Sequence, residues 1–244
     1  ALQIFTAQPS LYIGQQAGFG FDNASLELYA VNTPQGPAGR TTILGHTFDT
    51  TGLLGMSGPA DQPSFRGFPA AVTIPSYQDL ATGRVVHFFF AWVLVITLAV
   101  WLVASIANRH IADVPPNRTD LRHLPQAALT HLRFRFEHGR KYNPLQKIAY
   151  SVVLFVLFPL IILTGLTMSP GVDAAWPWLL EIFGGRQTAR SIHFIVMSCL
   201  VLFFLIHMVM IVLAGPFNEL RQMITGRYRA SPDVPFDASK GDKP

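Results

Sequence analysis

Three apolar runs divide the chain. They are residues 85–107 (VVHFFFAWVLVITLAVWLVASIA), 148–168 (IAYSVVLFVLFPLIILTGLTM) and 191–214 (SIHFIVMSCLVLFFLIHMVMIVLA). Each is long enough to cross a hydrocarbon core, which takes about 20 apolar residues as a helix. None contains Asp, Glu, Lys or Arg. The pattern predicts an all-α, up-and-down bundle of three membrane-spanning helices. Pro159 predicts a kink in the second, and Gly165 a point of close helix approach. Residues 1–84 are polar and rich in Gly and Pro. Stretches such as NTPQGPAGR and MSGPADQPSFRGFP predict a long loop region with short strands or irregular coil. SYQDLATGR predicts a short interfacial turn leading into the first helix. The basic loop 108–147 predicts an amphipathic surface helix near 125–137. AWPWLLEIFGG, within the connector 169–190, predicts a short helix at the interface. The tail 215–244 ends in a Pro-, Asp- and Lys-rich stretch that predicts disorder.

Besides Tyr150 and Cys199, histidine is the one ionisable residue type inside the runs. His193 and His207 lie 14 residues apart in the third run. That spacing leaves them about 40° apart around a helix and about 21 Å apart along it. One helix face therefore presents two imidazoles, one near each end. Ionisable groups within a membrane are costly and mark function. Packed structural histidines, a zinc site and a proton pathway are the other readings open to such a pair. His110, His123, His131 and His138 fall in the polar loop and read as solvated, as do His46 and Asp49 in GHTFDTTG.

Composition narrows the class. The chain has 244 residues, 50% of them hydrophobic and only 13% charged, where a soluble domain carries about 25% charge. Mean hydropathy is +0.34. The net charge of +4 and the pI near 9.5 come from basic residues that flank the apolar runs, so membrane orientation explains them and nucleic-acid binding does not. Cys199 is the one cysteine, which excludes a disulfide framework and a CxxCH haem attachment.

Charge also gives topology. Lys and Arg number three in 1–84, eight in 108–147, two in 169–190 and five in 215–244. The positive-inside rule then puts 108–147 and 215–244 in the cytoplasm, and 1–84 and 169–190 in the periplasm. Residues 85–214 form the bundle between them. The periplasmic face carries five Lys and Arg against seven acids.

This topology runs helices 85–107 and 191–214 in the same direction, with His87 and His193 each third in its helix. Two imidazoles at one depth on neighbouring helices are what a bis-histidine haem b needs. Arg84 and Arg190 each precede one of these histidines by three positions, on the same helix face. Both arginines stand at the membrane surface, where haem propionates would emerge and a guanidinium could bind a carboxylate bidentately. Ordinary interfacial anchoring is the other reading of the two. A transporter or metal permease, and a purely structural membrane anchor, are the rival functions. Against the transporter, no carboxylate lies within a run to carry protons or bind a hard ion.

A second site would need a partner for His207. His110, if helical, lies about 13 Å too deep. The antiparallel helix 148–168 reaches the depth of His207 near Phe155, which offers no ligand. Met208 and Met210 share the helix of His207 and cannot face it. One haem b is therefore expected in these residues.

The two-histidine helix, preceded by a helix with one histidine near its periplasmic end, resembles the four-helix di-haem cytochrome b family. That family includes bacterial cytochrome b561, the cytochrome b subunits of nickel-iron hydrogenase and thiosulfate reductase, and the formate dehydrogenase gamma subunit. GRVVHFFFAW, KYNPLQKIAYSVVLFVLFPLIILTGLTMSPG, FGGRQTARSIHF and AGPFNELRQMITGRY resemble most the membrane cytochrome partnering periplasmic molybdopterin oxidoreductases of the sulfite-oxidase type. The resemblance spans nearly the whole chain. It implies a multi-pass inner-membrane electron-transfer subunit, not a stand-alone enzyme, working between quinone and a periplasmic redox partner. It implies iron ligation by His87 and His193 at a periplasmic haem and by His207 at a cytoplasmic one. Family members carry a further helix before the point matching residue 1, with the fourth histidine near its cytoplasmic end. The expectation is that the native protein has such a helix, completing a two-haem pattern.

Overall fold

The computed structural model describes residues 2–6, 9–14, 23–59, 61–74, 76–117, 122 and 144–214. The surface helix expected near 125–137, the tail 215–244, and His123, His131 and His138 lie outside them. Among the described residues, three helices are long and apolar enough to cross a membrane: α2 (Leu80–Ala107), α3 (Leu145–Thr167) and α6 (Arg186–Ala214). Before α2 come a short helix α1 (Leu2–Thr6) and strands β1 (Ser10–Tyr12), β2 (Ala24–Thr33), β3 (Gly36–Ile43) and β4 (His46–Asp49). Between α3 and α6 lie two one-turn helices, α4 (Pro170–Ala175) and α5 (Pro177–Ile182), where the sequence pattern predicts one.

The all-α expectation is corrected. The four strands form one antiparallel sheet in the order β1-β2-β3-β4. β2 and β3 pair over eight registered positions, from Leu26↔Ile43 to Thr33↔Gly36. NTPQGPAGR is therefore the end of one strand, a two-residue turn and the start of the next. Pro34 and Gln35 form that turn, and Gly36 follows at φ +116. GHTFDTTG likewise holds β4, whose four residues are all exposed. Leu44 and Gly45 both take positive φ before it, the geometry a two-residue hairpin needs to match strand twist. The solvated reading of His46 and Asp49 holds. Asp49 accepts from the Thr51 N–H at 3.0 Å and meets Arg40 at 2.9 Å. These contacts, the Thr51 bonds first, hold its carboxyl below the usual range.

The sheet is seated on α6. Phe5, Leu11 and Leu28 form a buried cluster, with Leu26, Leu54, Phe68 and Phe194 packed around it. Phe194 belongs to α6 and stacks on Phe5 with ring centroids 4.1 Å apart. Fully burying side chains of this kind contributes roughly 1.5–3 kcal/mol each. The first amides of α6 have no partner within their own helix. Gln187 and Thr188 donate theirs to the Gly14 carbonyl, both at 3.1 Å. Gly14 N–H returns a bond to Thr188 Oγ1 at 2.6 Å, and Ser191 Oγ donates to the Tyr12 carbonyl at 2.7 Å. Chain segments far apart in sequence thus cap one helix end.

Each spanning helix starts earlier than its apolar run, because polar first turns precede the hydrocarbon. α2 starts within the expected SYQDLATGR turn, at Leu80. Asp79 caps it, accepting from Thr82 N–H at 3.0 Å. That bond holds the Asp79 carboxyl below its ordinary 3.8. Its contribution to the helix end is full above that ordinary value and is lost as pH falls through the lowered one. We expect Asp79→Ala to reduce hydrogen-exchange protection in the first turn at neutral pH. The native protein should show the same loss only in acid below about pH 4. In α3, Pro159 registers as a widened turn. Val153–Leu157 is a π segment, and the N–H of Phe158 donates to Val153 O, five residues back. Proline has no N–H to continue the normal ladder, and single π turns absorb such interruptions. Outward side chains such as Val85, Phe88, Phe89, Phe204 and Val209 are exposed apolar surface, as lipid contact requires.

Candidate haem site between two helices

α3 packs directly along α6, whereas α2 stands off from it. Two imidazoles bridge the gap. His87 of α2 and His193 of α6 have ring centroids 6.0 Å apart and planes inclined at 74°. Each histidine sits at the same offset from the first residue of its helix, Leu80 and Arg186. The expected pairing at one depth is therefore present, and both side chains are half-buried.

The spacing tests the donor set. Two metal–imidazole bonds of about 2 Å, with the distance from each nitrogen to its ring centre, separate the centroids by roughly 6 Å. The observed separation fits an iron held from both sides. It is too long for a hydrogen bond between the rings to account for.

His193 is held from behind by α3. Thr164 Oγ1 lies 3.1 Å from His193 Nδ1, and Thr164 is wholly buried. A Cβ built on Gly165 would lie 3.3 Å from His193 Cε1. The glycine expected to bring helices together does so against this imidazole. Neither contact was legible as part of the site. The available signal was a Thr-Gly pair inside an apolar run, at the level where an antiparallel helix meets His193.

His207 sits at the other end of α6. Phe203 stacks on it at 5.8 Å with planes 8° apart, and the Tyr150 ring of α3 stands edge-on at 6.1 Å. Tyr150, not Phe155, thus marks the depth of His207. The register follows from Thr164 meeting His193: the same step back along α3 and forward along α6 brings Tyr150 to His207. Among the described residues no histidine faces His207, and no cluster of three or more His, Cys, Asp or Glu side chains is present.

The arginines differ. Arg190 lies over the Phe5 ring at 5.6 Å and donates to Gln187 Oε1 at 3.1 Å. Arg84 is exposed one turn before His87. His110 is exposed at the far end of α2 and joins neither the His87–His193 pair nor His207.

A family model described as prokaryotic cytochrome b561 matches residues 51–226. The chain belongs to the prokaryotic cytochrome b561 family. It is therefore a multi-pass membrane cytochrome of the b type, an electron carrier, and the family implies haem b as its cofactor. One relative, from Azospira oryzae, is named as a protein-methionine-sulfoxide reductase subunit, YedZ1. It is 32% identical over 143 residues, covering 57% of this chain and 69% of the relative. No solved structure matches the chain.

Proposed function

We propose that this chain is the membrane cytochrome that passes electrons between the quinone pool and a periplasmic molybdopterin oxidoreductase in the bacterial inner membrane. The observation that carries the reading is the facing pair His87 and His193, spaced for one iron. These two histidines hold one haem b. His207 supplies one ligand of a second, with the other ligand coming from outside the described residues. Arg84 and Arg190 receive the propionates of the first haem. Residues 1–84 and 169–190 are periplasmic, and 108–147 and 215–244 cytoplasmic.

Haem b, when bound, supplies a one-electron couple. The protein's part is to hold both axial positions, so that no iron site is open to oxygen, and to keep the ring in low dielectric. α3 orients His193, and the sheet locks the end of α6 that faces the partner. The relative's name, a reductase subunit, supports electron flow outward from quinol to an enzyme docked on the sheet side. No carboxylate lies in the three spanning helices, which disfavours ion transport.

A haem-replete preparation should give a b-type reduced-minus-oxidised spectrum and be reduced by a quinol analogue on a timescale of seconds or less. Reoxidation should follow on adding the oxidised molybdopterin partner. A haem that dithionite reduces and quinol does not would refute the quinone assignment.

A further inference from the structure

Thr164 is buried completely in the face of α3 that meets α6. Its hydroxyl has one hydrogen to donate and two lone pairs. Oγ1 lies 2.6 Å from the carbonyl oxygen of Leu160, with Ile161 O further off at 3.4 Å. A carbonyl only accepts, so the hydrogen goes to Leu160. A lone pair is left facing His193 Nδ1 at 3.1 Å, and Nδ1 must carry the proton. A neutral imidazole protonated at Nδ1 has a bare Nε2. Gly165 leaves room for the imidazole to lie against the helix, since even a methyl there would sit 3.3 Å from Cε1. Among the described residues, His87 has a ring contact with Phe88 and no hydrogen-bond acceptor, so the two imidazoles are unequal.

We propose that Thr164 is a positioning residue for the axial ligand His193. The relay Leu160 C=O, Thr164 O–H, His193 Nδ1–H fixes the tautomer, aims Nε2 into the α2–α6 gap and raises its basicity. The inference rests on the reading of His193 as an iron ligand. Hydrogen bonds to the far nitrogen of a ligating histidine orient it and strengthen its donation. Stronger donation stabilises the ferric state, so the relay holds the haem potential down.

The test uses the full chain, purified with haem, as native protein and as Thr164→Val, Thr164→Ser and His193→Ala. Haem content, midpoint potential and the g-values of the low-spin ferric spectrum are read on each. Thr164→Val keeps the shape and removes the acceptor. It should favour ferrous over ferric haem by a further threefold to tenfold, an upward shift of about 28–59 mV at 59 mV per tenfold. Its g-values should change, and Thr164→Ser should restore both. An unchanged potential and unchanged g-values in Thr164→Val, with haem lost in His193→Ala, would overturn the relay and leave the ligand reading standing. Full haem content in His193→Ala would overturn both. If Thr164→Val assembles without haem, the serine variant decides: recovery of haem and potential supports the relay, and an empty serine variant refutes it.

Discussion

Replacing His193 or His87 with alanine is expected to remove the same haem. On the proposed assignment each imidazole supplies one of two axial bonds, their ring centroids lying 6.0 Å apart. Loss of either bond should leave one axial position of the iron unfilled. The low-spin b-type spectrum that depends on both should vanish, together with one equivalent of haem per chain. The two single variants and the double variant should be indistinguishable, since residues acting as one unit are not additive. His110→Ala is the matched control, because His110 is exposed and remote from both imidazoles. The planes of the two rings are inclined at 74°. Nearly perpendicular ligand planes leave two iron orbitals close in energy, so the ferric haem should give a highly anisotropic low-spin spectrum. Haem quantification and electron paramagnetic resonance check both points. His193→Ala with full haem, or His110→Ala without it, would refute the assignment.

Much of the membrane layer was legible because its signal is local. An uninterrupted apolar run of sufficient length admits one structure in hydrocarbon, the helix, so three runs gave three helices. The pairing of His87 with His193 followed from counting residues from the same end of two helices running the same way. What was not legible depends on contacts between segments far apart in the chain. The sheet was hidden because β1 and β4 are short and β3 carries Gly and Pro, and its core residues Leu11 and Leu28 become apolar neighbours only after the hairpins close. The role of Thr164 was hidden for a related reason. A threonine in a membrane helix ordinarily bonds its own backbone, as this one does with Leu160. Only the register of α3 against α6 reveals that the remaining lone pair meets His193. That register was misjudged by aligning the apolar runs instead of the longer helices, which put Phe155 where Tyr150 stands.

Gly55→Ala should unfold the extramembrane layer while leaving the haem in place. Gly55 has φ +74, and a Cβ there would lie 2.2 Å from the Tyr29 carbonyl oxygen and 2.9 Å from its carbon. Both are backbone atoms of β2, held where Tyr29 pairs with Arg40 of β3. The neighbouring approach is as close. A Cβ on Gly39 of β3 would come within 2.3 Å of the Leu54 carbonyl oxygen. The segment 54–56 therefore lies against the sheet backbone to backbone, and two glycines make the contact possible. Placing a methyl at Gly55 costs about 1–3 kcal/mol in conformational strain alone. The overlap adds to this and forces the segment off the sheet, breaking the bond from Gly55 N–H to Gly67 O. Gly36→Ala separates the two effects. Gly36 also has positive φ, +116, yet a Cβ there meets nothing within 4 Å, so only the strain applies. Limited proteolysis should cleave Gly55→Ala within residues 23–74 at far lower protease concentration than the native protein, with Gly36→Ala between them. The absorbance of the haem should stay near native in both, because His87, His193 and Thr164 lie on the spanning helices. Equal protease resistance of Gly55→Ala and the native chain would show that segment 54–56 does not rest on the sheet.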